Sequence, residues 1–144
     1  MSKKYLVFSI ALVFVLALTG VVSAADPIKI GVVTPDADHG FTGESVAHAR
    51  AELEKLAAEG VVECKFEAGG EAAKQIAAIE TILEWGPDVI VLWPLEGEQL
   101  KNAAYSVTDA GVGLVIYDRL IDGFTPTAEI MGDNETIGKW TGEY

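Results

Sequence analysis

The sequence predicts an α/β fold, a doubly wound parallel sheet with strand order 2-1-3-4-5. Three observations carry that prediction. From Ile28 onward, short apolar runs alternate with stretches whose apolar residues recur every three or four positions, as successive βα units require. The run Asp88 to Trp93 is nearly all apolar, the pattern of a central parallel strand covered on both faces. The residues after the N-terminal apolar segment number about 120, one ordinary domain.

Ile28-Lys29-Ile30-Gly31-Val32-Val33-Thr34 reads as the first strand, followed by a polar turn from Pro35 to Gly40. A helix is expected from Thr42 to Glu59, with Val46, Ala49, Leu53 and Leu56 inward and Gly60 as its stop. Val61 to Glu67 alternates apolar and polar, as a partly exposed edge strand does. After Gly69-Gly70, a second helix carries Ala72, Ile76, Ile79 and Leu83 on one face and ends at Gly86-Pro87. Strand 3 is Asp88 to Trp93. The third helix, Glu96 to Ala110, turns Leu100, Ala103, Ala104 and Val107 inward. Val112 to Tyr117 is strand 4, Ala128 to Met131 a short strand 5, and a last helix starts at Glu135. Five βα units in a row imply right-handed crossovers.

The first 24 residues have the form of a secretory signal. Lys3 and Lys4 are its positive start, Leu6 to Leu18 its apolar stretch, and Val22-Ser23-Ala24 its small-residue cleavage pattern. The alternative, a transmembrane anchor, needs about 20 uninterrupted apolar residues. Cleavage near Ala24 would leave 8 basic against 22 acidic residues, a net charge of −14 in place of −12. That surplus of carboxylates excludes the basic footprint of a nucleic-acid binder. Cys64, the single cysteine, shares a strand face with Val62 and Phe66 and reads as an inert core thiol. One cysteine and two histidines at unhelpful spacings supply no metal cluster, and no cofactor is implied.

A doubly wound sheet binds ligands at the carboxyl ends of its strands, where the strand order reverses. With order 2-1-3-4-5 that crevice collects Asp36, Asp38, His39 and Phe41 after strand 1, then Trp93, Pro94 and Glu96 after strand 3. After strand 4 come Asp118 and Arg119, and after strand 5 Asp133 and Asn134. The apolar run Val115-Ile116-Tyr117 stops abruptly on this acid and base. Carboxylates accept hydroxyl hydrogens, a guanidinium donates in fixed geometry, and aromatic faces cover sugar C–H surfaces, so the mixture suits a polyol. Simpler roles stand beside this one. Asp118 and Arg119 can pair with each other, Asp133-Asn134 can cap the next helix, Trp93 can be core, and His39 can be plain surface. Enzyme signatures are missing: there is no G-x-S-x-G elbow, no P-loop, and no G-x-G-x-x-G after the first strand.

Taken in order, Lys29-Ile30-Gly31-Val32-Val33, His39-Gly40-Phe41, Asp88-Val89-Ile90-Val91-Leu92-Trp93-Pro94, Tyr117-Asp118-Arg119 and Gly132-Asp133-Asn134 resemble the ribose-binding type of periplasmic substrate-binding protein. These are the type I sugar receptors of ABC transporters. The resemblance implies a non-catalytic protein of the periplasm that captures a monosaccharide or related polyol and presents it to a membrane ABC permease. It implies that Asp118 and Arg119 hydrogen-bond sugar hydroxyls, that Phe41 stacks on the ring, and that Asp38 supplies the first loop's polar contact. His39, Trp93 and Asn134 complete the expected ligand-binding set. Asp38 stands where ribose binders tend to carry asparagine, His39 replaces a usual proline, and Gly40 a common second aromatic, which leaves pentose, hexose or related polyol open. Such receptors have two lobes joined by a hinge. By this resemblance residues 25–144 are expected to be a truncated N-terminal lobe, with the second lobe absent. The effector-binding domain of a LacI-type regulator resembles the same lobe, but the export signal and the lack of a basic helix-turn-helix segment oppose it. A small exported flavodoxin-like enzyme would need a nucleophile–base pair or a phosphate cradle, and neither is legible.

Overall fold

β1 (Ile28–Pro35) occupies the second position of a five-stranded parallel sheet in the computed structural model, which describes residues 26–143. The expected export signal lies outside the described residues. Around β1 the chain forms α1 (Gly40–Ala58), β2 (Val62–Gly69), α2 (Ala72–Trp85), β3 (Val89–Leu92) and α3 (Gly97–Asp109). It continues through β4 (Gly113–Tyr117), β5 (Ala128–Ile130) and α4 (Asn134–Gly142). Strand order is β2-β1-β3-β4-β5, as the sequence predicts. β1 is in register with both neighbours, Ile28 beside Val62 and Val33 beside Leu92.

The fully closed side of the sheet faces α2 and α3. Val33, Ile90, Leu92, Leu114 and Ile116 point there and meet Ile79, Ile82, Leu100 and Val107, all essentially inaccessible to water. Each such Leu or Ile contributes roughly 1.5–3 kcal/mol by leaving water. Gly31 lets α2 approach β1 this closely, because a Cβ there would lie 2.2 Å from Ile82 Cγ2.

Three local expectations are corrected. No helix joins β4 to β5: the ten residues from 118 to 127 form a loop whose Ile121 and Phe124 plug the end of the core. Thr127 closes that loop onto Leu114 through its N–H and its hydroxyl. Second, Ala49 does not point into a core. No residue of α1 is buried. The helix leans over β2, where the Arg50 guanidinium sits 4.1 Å from the Phe66 ring centre. Between α1 and β1, β3 and β4 lies an apolar cavity of about 360 Å³, with Val32, Val46, Val91 and Tyr117 in its wall and Ala49 at its lip. Parallel sheets ordinarily cover both faces; here Val91 and Val115 stay half-buried. Thr34 is 4% exposed on this side, and its hydroxyl has no partner among the described residues. Cys64 is half-buried rather than core.

Candidate functional site

β1, β3 and β4 are adjacent and parallel, so the loops leaving their carboxyl ends converge on one edge. The turn after β4 gives this edge its character. Arg119 N–H donates to Tyr117 C=O at 2.8 Å, closing a three-residue turn with Asp118 at its centre. Asp118 has φ 66°, and it alone among non-glycine described residues has a positive φ. This is the rarer, strained hand of γ-turn, and Asp is among the few side-chain-bearing residues that visit it. Strain of this kind persists where the surroundings hold it and concentrates at functional sites. Here Asp118 N–H is tied to Ile130 C=O at 2.9 Å across β5.

The turn aims both charged side chains at the loop after β3. Trp93 Nε1–H donates to Asp118 Oδ2 at 3.0 Å, and Arg119 Nη1 donates to Leu95 C=O at 2.8 Å. The two residues are also near each other, Nε to Oδ2 3.8 Å, with side chains 48% and 32% exposed. Both the expected pairing and a ligand-accessible remainder are therefore present. Gly97 permits this proximity: a Cβ on it would lie 2.4 Å from Leu120 C=O, so the loop after β4 rests directly on the first turn of α3.

Aromatic side chains floor the site. Trp93 is 3% exposed and holds Tyr117 edge-to-face at 5.0 Å and Phe41 at 5.9 Å. Phe41, on the first turn of α1, leaves 64% of its surface open beside them. The structure thus brings Phe41, Trp93, Asp118 and Arg119 into one cluster, with Trp93 acting through the Asp118 carboxylate rather than through its buried ring. Asp38 and His39 project from the first loop, more than nine-tenths exposed, and hydrogen-bond to each other at 2.5 Å.

Asn134 stands apart at the start of α4, its N–H on Gly132 C=O. Its neighbour Asp133 is the N-cap, accepting Thr136 N–H at 3.0 Å. That hydrogen bond holds the Asp133 carboxyl below the usual aspartate value. Among the described residues no group of three His, Cys, Asp or Glu side chains is placed to hold a metal ion.

Chemically the cluster offers a fixed carboxylate acceptor, guanidinium donors beside it, and an exposed aromatic face. Those are elements of polyol recognition. One contributor was missed in the sequence. Gln75, fully buried, stands at an inward position of α2 between Ala72 and Ile79. A polar residue on that apolar period was the available signal.

The family profile of the periplasmic binding protein domain matches residues 30–144. The chain is 29% identical over 124 residues to the D-xylose-binding periplasmic protein of Escherichia coli, covering 86% of this chain and 37% of that one. It is 33% identical over 72 residues to the D-xylose-binding periplasmic protein of Haemophilus influenzae, covering 50% and 22%. The chain therefore spans little more than a third of the E. coli relative. Among solved structures, an ABC transporter solute-binding protein from Clostridium phytofermentans with bound β-D-glucose superposes with TM-score 0.70 at 22% identity, over 81% of this chain and 35% of its own. The Caulobacter myo-inositol binding protein bound to myo-inositol superposes with TM-score 0.66 at 24% identity, over 86% and 43%. These two likenesses concern the fold.

Proposed function

Since the chain belongs to the periplasmic binding protein domain family, we propose that it is the N-terminal lobe of an exported receptor that captures a monosaccharide for ABC-type import, without making or breaking a bond. The observation that carries the reading is the strained turn that fixes Asp118 and Arg119 at the carboxyl edge of the sheet beside the open face of Phe41. Asp118 accepts two sugar hydroxyl hydrogens, Arg119 donates to a ring or hydroxyl oxygen, and Phe41 covers the C–H face. Asp38 and His39, exposed on the first loop, meet parts of the sugar that face a second lobe, and Asn134, at the start of α4, is the remaining proposed contact. Residues 1–24 direct export, and closure of a second lobe over the sugar shifts the receptor to the form that a membrane permease accepts.

Both curated relatives carry D-xylose in their names, so D-xylose is the first ligand to test. Half a cleft leaves the sugar wet on one side, so these 144 residues alone bind it more weakly than a cleft closed by two lobes would. The test is a titration of the ¹⁵N-labelled chain with D-xylose, D-ribose, D-glucose and myo-inositol. Saturable shifts at Phe41, Asp118 and Arg119 with one or more of these are expected. Shifts scattered over the surface, or none with any of the four, would overturn the reading.

A further inference from the structure

The loop that receives both site charges has few hydrogen bonds of its own. In Trp93-Pro94-Leu95 the proline contributes no N–H, and Trp93 N–H is spent on Val33 C=O at 2.9 Å, extending the sheet by one rung. The carbonyl of Trp93 and the N–H of Leu95 are among the groups that remain. One side chain takes both. Gln75 Nε2 donates to Trp93 C=O at 2.9 Å, and Leu95 N–H donates to Gln75 Oε1 at 2.8 Å. Gln75 is 0% exposed and Trp93 3%, so the Trp93 carbonyl has no ready substitute in water, while Leu95 is half-buried.

The residues clamped in this way are the ones that hold the site. Trp93 carries Gln75 on its carbonyl and Asp118 on its indole N–H. Leu95 carries Gln75 on its N–H and Arg119 on its carbonyl. We infer that Gln75 is the positioning residue of this site: one buried amide, which touches no ligand, fixes the loop that aims both Asp118 and Arg119. The inference rests on the sugar-binding reading given above. Its physical basis is that a charged side chain at a half-open surface loses rotamer freedom on binding, and a partner fixed in advance removes that cost from the binding step. Without the amide, the buried carbonyl of Trp93 and the half-buried N–H of Leu95 lose their partners. The loop then moves toward water and carries the indole N–H and the Leu95 carbonyl with it.

The experiment uses the ¹⁵N-labelled chain with three substitutions. Gln75→Met keeps length and apolar bulk but pairs with nothing. Gln75→Glu, when protonated, restores one donor and one acceptor where the amide had them. Ile79→Val, one turn along the same helix and 1% exposed, trims the core without touching the loop. Gln75→Met is expected to move the Trp93 indole N–H and Arg119 Nε–H resonances and to weaken D-xylose binding about tenfold, whereas Ile79→Val changes affinity by less than about twofold. Gln75→Glu is expected to regain wild-type affinity, compared at equal pH, as the pH falls toward about 5, because burial raises a carboxyl's pKa. That rescue would not follow from lost packing alone.

Unmoved resonances with affinity within about twofold of wild type in Gln75→Met would overturn the inference. If the wild-type chain binds none of the sugars, the binding reading fails by itself. Gln75 is then judged on the two resonances alone: displaced, it positions the pair; unmoved, it does not. Should Gln75→Met not fold, the pH rescue of Gln75→Glu decides in the same two directions.

Discussion

Replacing Asp118 separates the backbone of the site from its chemistry, because the residue does two different things. Its φ of 66° costs an ordinary L-residue roughly 1–2 kcal/mol relative to glycine. Its carboxylate accepts the Trp93 indole N–H at 3.0 Å. Because the side chain is 32% exposed, that bond is taken at about 1 kcal/mol, near the value for an uncharged pair. Asp118→Ala loses the bond and keeps a Cβ in the left-handed region, so it should be less stable than wild type by about 1–2 kcal/mol. Asp118→Gly loses the same bond but relieves the backbone, so it should fall within about 1 kcal/mol of wild type. The glycine variant is thus the more stable of the two, the reverse of the order in regular structure, where glycine is worse by about 0.5–1 kcal/mol. Urea unfolding followed by circular dichroism, with equal slopes required for all three proteins, measures this. The same two variants should lose D-xylose affinity together by more than about tenfold, since sugar hydroxyls left unpaired cost roughly 1–3 kcal/mol each. A glycine variant no more stable than the alanine variant would refute the argument from the turn. An affinity change under about twofold would refute the carboxylate as the sugar's acceptor.

Three other substitutions probe neighbouring parts of the argument. Phe41→Ala removes a ring that is 64% exposed, so stability should change by no more than about 0.5 kcal/mol while D-xylose binding weakens several-fold; unchanged affinity would make the ring a surface residue only. Thr34→Val replaces a buried, unpartnered hydroxyl with a methyl of the same shape and should raise stability by about 1 kcal/mol in urea unfolding; a loss would mean that the hydroxyl is paired in solution. The Asp133 carboxyl is lowered by the Thr136 N–H, so its capping contribution is complete above the unfolded-state value near 3.9 and is lost as the pH falls through the lower folded value. The Thr136 amide resonance should follow that titration in the wild type and stay flat in Asp133→Ala.

The sheet was legible because its signals are local and periodic. The apolar runs mark β1, β3 and β4, and the Ile76, Ile79 and Leu83 spacing marks α2. Strand order could be expected because right-handed crossovers leave few alternatives. What escaped depended on contacts distant in sequence. Ala49 keeps perfect helical spacing with Val46 and Leu53, yet it faces an open cavity, since periodicity says which residues share a face and not whether anything covers that face. Five βα units were counted, but β4 is followed by the loop from 118 to 127, whose Ile121 and Phe124 bury themselves without a helix.

The site divides along the same line. Asp118 and Arg119 were conspicuous because a charged pair ended an apolar run, and that placed them at the sheet's edge. Their orientation was hidden, for it depends on a left-handed backbone at Asp118 and on a glutamine 43 positions upstream of it. Gln75 looks like an error in an apolar pattern until the loop after β3 is seen to need one donor and one acceptor from a side chain buried beneath it. A buried amide is costly unless both its ends are satisfied, and here both are, by Trp93 and Leu95, the residues to which Asp118 and Arg119 are bonded. The same cost gives the sequence its warning sign. In a βα unit, a polar residue on the inward face of the first helical turn can be tied to the loop beyond the next strand, and that loop is where ligands bind.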